Sequence, residues 1–342
     1  MNIWHILLTV LMISVLALLH EMGHFVSARI FKVPVKEFAV GMGPKLFSVT
    51  SKKNGTAYSL RLLPIGGFVS MVGEDEASDD ANALNKKPAW QRMIITVAGP
   101  VMNIVTGFVI MLLVVLLSSK IGGTVVANFA DGAITEKCGL QVGDRIVSID
   151  GNAVHVSGDL SYEIMRNATR PIEVTVIRNG ERTVLDNVLF PSVTERGITL
   201  GMPDFYCLEE AKTPLNVAKH TFFRSVSAVK MVWESLIDLV SGKYSIEHVS
   251  GPVGVATAVS DAAKSGAVDF LFLSVVITMN LGVFNLIPFP ALDGGRLIFQ
   301  LYELITGKPV KPEVEGIIHF VGIVLLMGLM VLITFKDVIN LF

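Results

Sequence analysis

The chain has 342 residues, of which 51% are apolar and only 17% are charged, and its formal net charge is −2. This length allows two domain-sized units, and the composition is typical of a membrane protein rather than a soluble one. The near-neutral charge gives no indication of nucleic-acid binding. Two cysteines, Cys138 and Cys207, are too few for a disulfide framework or a thiolate zinc site; they could form one bridge or remain unpaired.

Four apolar stretches are long enough to cross a bilayer, for which a helix needs about 20 mostly apolar residues. They cover residues 3–19, 93–119, 269–293 and 316–335. The first could also be a signal peptide, but it lacks a basic amino-terminal region and a small-residue cleavage site. The sequence therefore predicts a polytopic α-helical membrane protein with four transmembrane helices.

Basic residues in short loops predict the orientation of these spans. They are concentrated between the first two spans and recur between the last two, as Lys308 and Lys311. We expect both loops in the cytoplasm, and therefore both termini and the long segment 120–268 outside it.

The first span leads into an HExxH motif, His20-Glu21-Met22-Gly23-His24. On a helix the two histidines lie one turn apart on one face and can bind one zinc ion, with Glu21 placed to act as a base on water. The alternative is a pair of histidines that only cap or pack a helix end. Two histidines and a glutamate within a span are energetically costly, which favours a functional role.

The segment 36–72 between the first two spans shows strand-like alternation around Asn54-Gly55, a strong hairpin turn signal. Such a hairpin could pair with an unwound substrate by strand addition, or it could be an ordinary surface hairpin. The acidic run that follows, residues 73–82, predicts a solvated loop.

The third span ends in residues 285–295, Asn-Leu-Ile-Pro-Phe-Pro-Ala-Leu-Asp-Gly-Gly. Pro288 and Pro290 cannot lie in a regular helix interior, so the span must unwind there. A catalytic zinc usually has three protein ligands, and Asp293 is the candidate for the third. Asp293 could instead cap a restarted helix. Helical rise places both His20 and Asp293 near the cytoplasmic side of the bilayer, which favours the metal interpretation.

These motifs closely resemble the site-2 protease family of intramembrane zinc metalloproteases, in particular the bacterial branch typified by the regulator of sigma-E protease. The resemblance covers nearly the whole chain and includes, besides HExxH, Gly41-Met-Gly-Pro44, Gly66-Gly-Phe68, Gly99-Pro-Val-Met-Asn103, Gly251-Pro-Val-Gly254 and the motif from Asn285 to Gly295. It implies that His20, His24 and Asp293 bind one Zn²⁺ per chain and that Glu21 is the catalytic residue.

The resemblance also gives four substrate-binding candidates. Asn280 and Asn285 match asparagines of the family that are thought to contact substrate, and Asn103 and Gly67 lie in two further family motifs. The asparagines could instead satisfy backbone groups freed by the broken helix, and Asn103 could pack helices together.

The outer segment 121–192 resembles a single PDZ domain. Its recognisable core is residues 139–151, with turns at Gly143-Asp144 and Asp150-Gly151, and a strand over 172–177 leads into an Asn179-Gly180 hairpin. Residues 213–241 predict an amphipathic helix, which could lie on the outer membrane surface.

The predicted fold is therefore four transmembrane helices with a cytoplasmic β-hairpin region and one extracytoplasmic α+β PDZ domain. In chain order the predicted segments are transmembrane helix 1 with HExxH (1–35), the cytoplasmic β-loop and acidic loop (36–91), transmembrane helix 2 (92–120), the PDZ domain (121–192), an extracytoplasmic amphipathic helical segment (193–267), transmembrane helix 3 with the broken NxxPxPxLDGG segment (268–306) and transmembrane helix 4 (307–342).

The predicted function is zinc-dependent hydrolysis of peptide bonds within or near the transmembrane segments of single-span proteins of the bacterial inner membrane. The resemblance implies substrates such as anti-sigma factors or remnant signal peptides, and an upstream site-1 protease that trims them first. The lipid bilayer is an expected partner, and nucleic acid is not. A non-catalytic scaffold and a transporter are the alternatives. Zinc content would test the first. The sequence shows no visible inverted repeats of the kind found in transporters, and proteolysis by purified protein would exclude the second.

Overall fold

The computed structural model describes residues 3–74, 76, 78–167, 169–195, 198–243 and 249–339. The described residues form two compact units; the first lies within Met1–Ile110 and Met231–Phe342, and the second lies within Met111–Lys230. In chain order the elements are α1 (Ile3–Ile30), β1 (Val35–Thr50), β2 (Ala57–Met71), a 3-10 helix (Leu84–Lys86), α2 (Ala89–Leu117), β3 (Ile121–Phe129), α3 (Ile134–Lys137), β4 (Arg145–Ile149), β5 (Asn152–Ala153), α4 (Ser157–Asn167), β6 (Ile172–Arg178), β7 (Glu181–Val188), β8 (Ser192–Glu195), β9 (Ile198–Gly201), β10 (Phe205–Glu210), α5 (Pro214–Val240), α6 (Pro252–Ser265), α7 (Ala267–Asn285), α8 (Asp293–Thr306) and α9 (Pro312–Ile339).

Within the described residues, four helices are long and apolar enough to cross a membrane, namely α1, α2, α7 and α9. This confirms the four predicted spans at the level of length and composition. The third is shorter than predicted, because α7 ends at Asn285 and α8 begins only at Asp293. The intervening loop contains Pro288 and Pro290, whose rings and missing N–H groups prevent a continuous helix.

The strands β1 and β2 form a long antiparallel hairpin in the first unit. Its turn contains Gly55 with φ +69°, a conformation that glycine adopts without strain. The base of the hairpin packs into an apolar cluster with α1 and α2 that includes Ala28, Val69 and Ile95. Towards its tip the hairpin exposes apolar side chains: Met42, Leu46, Phe47, Val49, Leu62 and Leu63.

The second unit is built around an antiparallel sheet with the strand order β10-β3-β4-β6-β7, and β5 pairs with β4. Its core includes Ile146, Ile149 and Val174 from the sheet and Leu160 and Ile164 from α4. Burial of each such side chain contributes roughly 1.5–3 kcal/mol of hydrophobic free energy. The Asn179-Gly180 turn predicted from the sequence connects β6 to β7.

The predicted boundary at residue 192 differs from the observed sheet. The strand β10 pairs with β3, so this unit takes an edge strand from the segment that we predicted to be helical. Sequence patterning missed β10 because only Phe205 of its six residues is buried, which leaves little alternation to detect. Helix α5 begins at Pro214, close to the predicted start of the amphipathic helix.

The two cysteines are unpaired. Both pack against the core of the second unit, and burial raises the pKa of the Cys207 thiol to about 11. A thiol with such a pKa stays protonated and unreactive at neutral pH.

Candidate metal centre

Three side chains from distant parts of the sequence converge in the first unit. Helix α1 presents His20 and His24 one turn apart, and the first residue of α8 is Asp293. The His20 Nε2 atom lies 3.2 Å from His24 Nε2. The Oδ2 atom of Asp293 lies 3.2 Å from His20 Nε2 and 3.4 Å from His24 Nε2. Tetrahedral ligands at 2.0–2.1 Å from zinc are about 3.3 Å apart, so these three atoms have the spacing of three zinc ligands.

The ring of His24 is oriented by a backbone carbonyl of α2. Its Nδ1 lies 2.8 Å from the oxygen of Ile95. A carbonyl oxygen can only accept, so the proton of the neutral ring is on Nδ1 and the Nε2 lone pair faces Asp293. This is the arrangement that orients a metal-binding histidine in proteins.

The ring of His20 meets the side-chain amide of Asn103, which is completely buried. The two nitrogens His20 Nδ1 and Asn103 Nδ2 are 3.1 Å apart, and the Oδ1 atom of Asn103 has no hydrogen-bond partner among the described residues. A 180° rotation of the amide lets Oδ1 accept the Nδ1 proton of His20 and satisfies both groups. In that orientation His20 Nε2 is unprotonated and available to a metal.

A buried carboxylate oxygen without a hydrogen bond indicates that these residues fit Zn²⁺. The Oδ2 atom of Asp293 is buried and receives no hydrogen bond from the described part of the chain. With both Nδ1 atoms protonated, three bare acceptors face one another at 3.2–3.4 Å. A cation relieves this repulsion, and imidazole nitrogen with carboxylate oxygen is a ligand set that zinc accepts.

Glycines bring α1 and α2 together at the site. A Cβ atom on Gly23 would lie 2.2 Å from the carbonyl oxygen of Ala98, and one on Gly99 would lie 2.2 Å from Nε2 of His24. Small residues of this kind allow membrane helices to approach closely. The glycine within the HExxH motif and the glycine before Pro100 therefore have a packing function at the metal centre.

A second pair of glycines sets the start of α8. A Cβ on Gly294 would lie 2.1 Å from the carbonyl oxygen of Ile287, and one on Gly295 would lie 2.5 Å from that of Phe289. The helix thus begins tightly against the broken segment, with Leu292 as its cap residue. Asp293 is the first helical residue, and its Oδ2 is directed at the histidines.

A cavity of about 430 Å³ adjoins the three side chains. Glu21 lines it, and its Oε2 accepts a hydrogen bond from the backbone N–H of Val69 on β2 at 3.1 Å. Of the four substrate-binding candidates, Gly67, Asn103 and Asn285 also line the cavity. The half-buried Asn280 is not part of this lining.

Three residues near the centre were not singled out for a role in the sequence. Arg296 on α8 donates to Glu74 Oε1 at 2.5 Å, and both residues line the cavity. Glu74 belongs to the acidic run that we predicted to be a solvated loop, and this residue is instead mostly buried; residues 75 and 77 of that run lie outside the described residues. His319 on α9 contacts the backbone beside Asp293. An isolated charge or histidine in the sequence gives no signal of such distant partners.

The chain matches peptidase family M50 over residues 8–329. It belongs to this family. The match covers the HExxH motif, the broken segment with Asp293 and nearly all of the four long helices, and it confirms the resemblance to site-2 proteases.

Relatives that match almost the whole chain support the same family assignment. A protein of Clostridium acetobutylicum that bears a zinc metalloprotease name is 37% identical, covering 99% of this chain and 98% of its own. The zinc metalloprotease RasP of Oceanobacillus iheyensis is 31% identical, covering 97% and 98%. The regulator of sigma-W protease RasP of Bacillus subtilis is 28% identical, with the same coverage. This M50 member is thus a membrane zinc metalloprotease with Zn²⁺ as its cofactor.

Proposed function

We propose that this M50 protease cleaves peptide bonds within or near the transmembrane segments of single-span membrane proteins. The observation that carries this proposal is the position of His20, Glu21 and His24 on α1, a helix long and apolar enough to cross a membrane. A substrate can reach a site on such a helix if its own scissile segment lies in or beside the bilayer.

In this proposal His20, His24 and Asp293 bind one zinc ion and Glu21 is the catalytic residue. Zinc supplies Lewis-acid chemistry, which makes water nucleophilic at neutral pH and polarises a carbonyl group. Glu21 accepts the proton of the attacking water at its carboxylate and returns it to the amine that leaves. The hydrogen bond from the Val69 N–H holds the Glu21 carboxylate beside the cavity.

Substrate recognition would involve the cavity wall and the neighbouring strand. Gly67 and Asn285 line the cavity, which supports a role in contacting an extended peptide, and Asn280 on the same helix as Asn285 would act further along it. A helical substrate hides its carbonyl groups in intrahelical bonds, so it must unwind before cleavage. Strand addition to the hairpin would stabilise the unwound form, and helix-weakening residues in the substrate would favour it.

The proposed location is the bacterial inner membrane, with both termini and residues 120–268 outside and the active site near the cytoplasmic side. The basic loops support this orientation. The name of the Bacillus subtilis relative, regulator of sigma-W protease, connects that protein to sigma-factor control. We propose anti-sigma factors as one substrate class and an upstream site-1 protease as a functional partner, as the family resemblance implies.

The second unit is proposed to be a PDZ domain that limits access of substrates with bulky outer domains. Its six-stranded antiparallel sheet with helix α4 supports this assignment. Because β10 belongs to the sheet, a deletion should remove 121–210 rather than 121–192. Deletion should preserve cleavage of short-tailed substrates and permit cleavage of bulky ones; loss of short-tail cleavage in a folded, zinc-loaded variant would contradict a gating role.

The proposed function is tested by membrane proteomics of cells that contain wild-type protein or Glu21→Gln. We expect single-span proteins or trimmed fragments to accumulate in the variant. Glu181→Gln, a change at an exposed residue of β7, is the matched control and should resemble wild type. Identical single-span profiles in all three strains would contradict the proposal.

A further inference from the structure

The loop between α7 and α8 delivers Asp293 to the metal centre through an unusual backbone. Ala291, two residues before Asp293, has φ +81°. A residue with a side chain rarely adopts this conformation, so the surroundings of the turn must hold it there. His20 and His24 share one regular helix, whereas the position of Asp293 depends on how this turn is fixed.

Helix α9 holds the turn through a side-chain acceptor. The backbone N–H of Ala291 donates to Nδ1 of His319 at 2.9 Å. The bond requires an unprotonated Nδ1, so the ring proton of neutral His319 is on Nε2, which lies 3.8 Å from Glu315 Oε1. The His319 ring and the Phe299 ring of α8 meet in an edge-to-face arrangement, with the two ring centroids 5.7 Å apart.

A close backbone approach occurs on the next turn of the same helix. A Cβ atom on Gly322 would lie 2.4 Å from the carbonyl oxygen of Pro290 and 2.5 Å from its Cβ. Only glycine permits this contact without a shift of the turn. The other glycines of α9, Gly316 and Gly328, have no atoms within 4 Å of such a position, so the close approach is specific to Gly322.

We propose that His319 and Gly322 are positioning residues for the metal centre. His319 fixes the Ala291 N–H, Gly322 lets α9 pack on Pro290, and together they set where Asp293 meets the two histidines. This inference rests on the proposed role of Asp293 as a zinc ligand. It gives α9, which contributes none of the proposed ligands, a function in metal retention.

The experiment measures zinc retained by purified full-length protein during titration with a chelator, without substrate. His319→Leu removes the acceptor, and His319→Asn keeps an acceptor oxygen near the Nδ1 position. We expect His319→Leu to lose zinc at roughly 10- to 100-fold lower chelator concentration than wild type, the usual effect of removing a group that orients a ligand. His319→Asn should restore most of the retention.

Gly322→Ala provides the second arm, with Gly328→Ala as its matched control on the same helix. Gly322→Ala should lose zinc like His319→Leu, and Gly328→Ala should retain it like wild type. The unfolding temperature of each variant after removal of zinc by the chelator separates this effect from a general loss of stability. If Gly322→Ala does not fold, the comparison of His319→Leu with His319→Asn tests the inference by itself.

Equal retention in His319→Leu, Gly322→Ala and wild type would overturn the inference, and so would equal loss in His319→Leu and His319→Asn. Absence of zinc from wild type itself would instead contradict the proposed metal centre. The experiment measures zinc retention and not cleavage, so its outcome does not depend on whether the proposed proteolytic function is correct.

Discussion

His20 and Asp293 are far apart in the sequence, yet His20 Nε2 and Asp293 Oδ2 are 3.2 Å apart. The carboxylate oxygen is buried and receives no hydrogen bond from the described residues, and His24 Nε2 completes a triangle with nearly equal sides. The regular helix α1 supplies the two histidine nitrogens of this triangle, and the segment broken by prolines supplies the carboxylate oxygen. The following predictions depend on this arrangement.

Removal of any one of the three proposed ligands should abolish zinc binding. We expect wild-type protein to contain about one zinc per chain, and His20→Ala, His24→Ala and Asp293→Ala to contain little, because a catalytic zinc usually has three protein ligands. Elemental analysis of purified protein measures this. Full zinc occupancy in Asp293→Ala would remove this residue from the ligand set.

The glycine at the contact between α1 and α2 gives a steric prediction. In Gly99→Ala the new methyl group would lie 2.2 Å from His24 Nε2, so the ring must move and zinc content should fall sharply. Gly316→Ala, which meets no atom within 4 Å, is the control for a glycine in a long helix. If Gly99→Ala retains zinc as well as Gly316→Ala does, the packing of α2 against His24 is not as described.

The buried amide of Asn103 allows its two candidate roles to be separated. If it accepts the Nδ1 proton of His20, Asn103→Leu should lower zinc affinity roughly 10-fold, while Asn103→Asp, which still accepts, should stay close to wild type. Chelator competition gives the affinity, and cleavage assays give kcat and KM. Unchanged zinc affinity with a raised KM would instead assign Asn103 to substrate binding.

The hairpin gives a prediction about acid stability. Burial raises the pKa of Glu37, but hydrogen bonds from Ser59, Lys45 and Arg61 outweigh this and lower it from the ordinary 4.5 to about 2. The ionised carboxylate therefore stabilises the hairpin fully above pH 4.5, and this contribution is lost as the pH falls from 4.5 towards 2. Pepsin cleavage within residues 35–71 should increase over this range.

The matched variants for this measurement are Glu37→Gln and the exposed Glu181→Gln. Glu37→Gln lacks the ionisable group, so its hairpin should already be more readily cleaved at pH 4.5 and should change less with pH. Glu181→Gln should follow wild type and corrects for the pH dependence of pepsin itself. The ion-pair account of the hairpin fails if all three proteins show the same pH profile.

Much of the site could be predicted because its chemistry is local in sequence. HExxH places two histidines on one helical face, and Pro288 and Pro290 indicate the break that precedes Asp293. The long apolar helices were predictable for the same reason, since twenty consecutive apolar residues leave few alternatives.

The remaining features depend on tertiary contacts that leave no local pattern. The ion pair of Glu74 with Arg296 joins a loop to a helix more than two hundred residues away, and the acidic run gave no indication of it. The edge strand β10 buries little of its surface, so its pairing with β3 was missed. The contact of His319 with Ala291 depends on how α9 packs on the broken segment.

The central claim is that Glu21 acts as the base beside a zinc held by His20, His24 and Asp293. The most direct measurement compares zinc content and cleavage of a single-span substrate in detergent or vesicles for wild type and Glu21→Gln. We predict that the variant retains zinc and its unfolding temperature but cleaves at least about 100-fold more slowly, the usual contribution of a general base. Cleavage at the wild-type rate by a zinc-loaded Glu21→Gln protein would contradict the account.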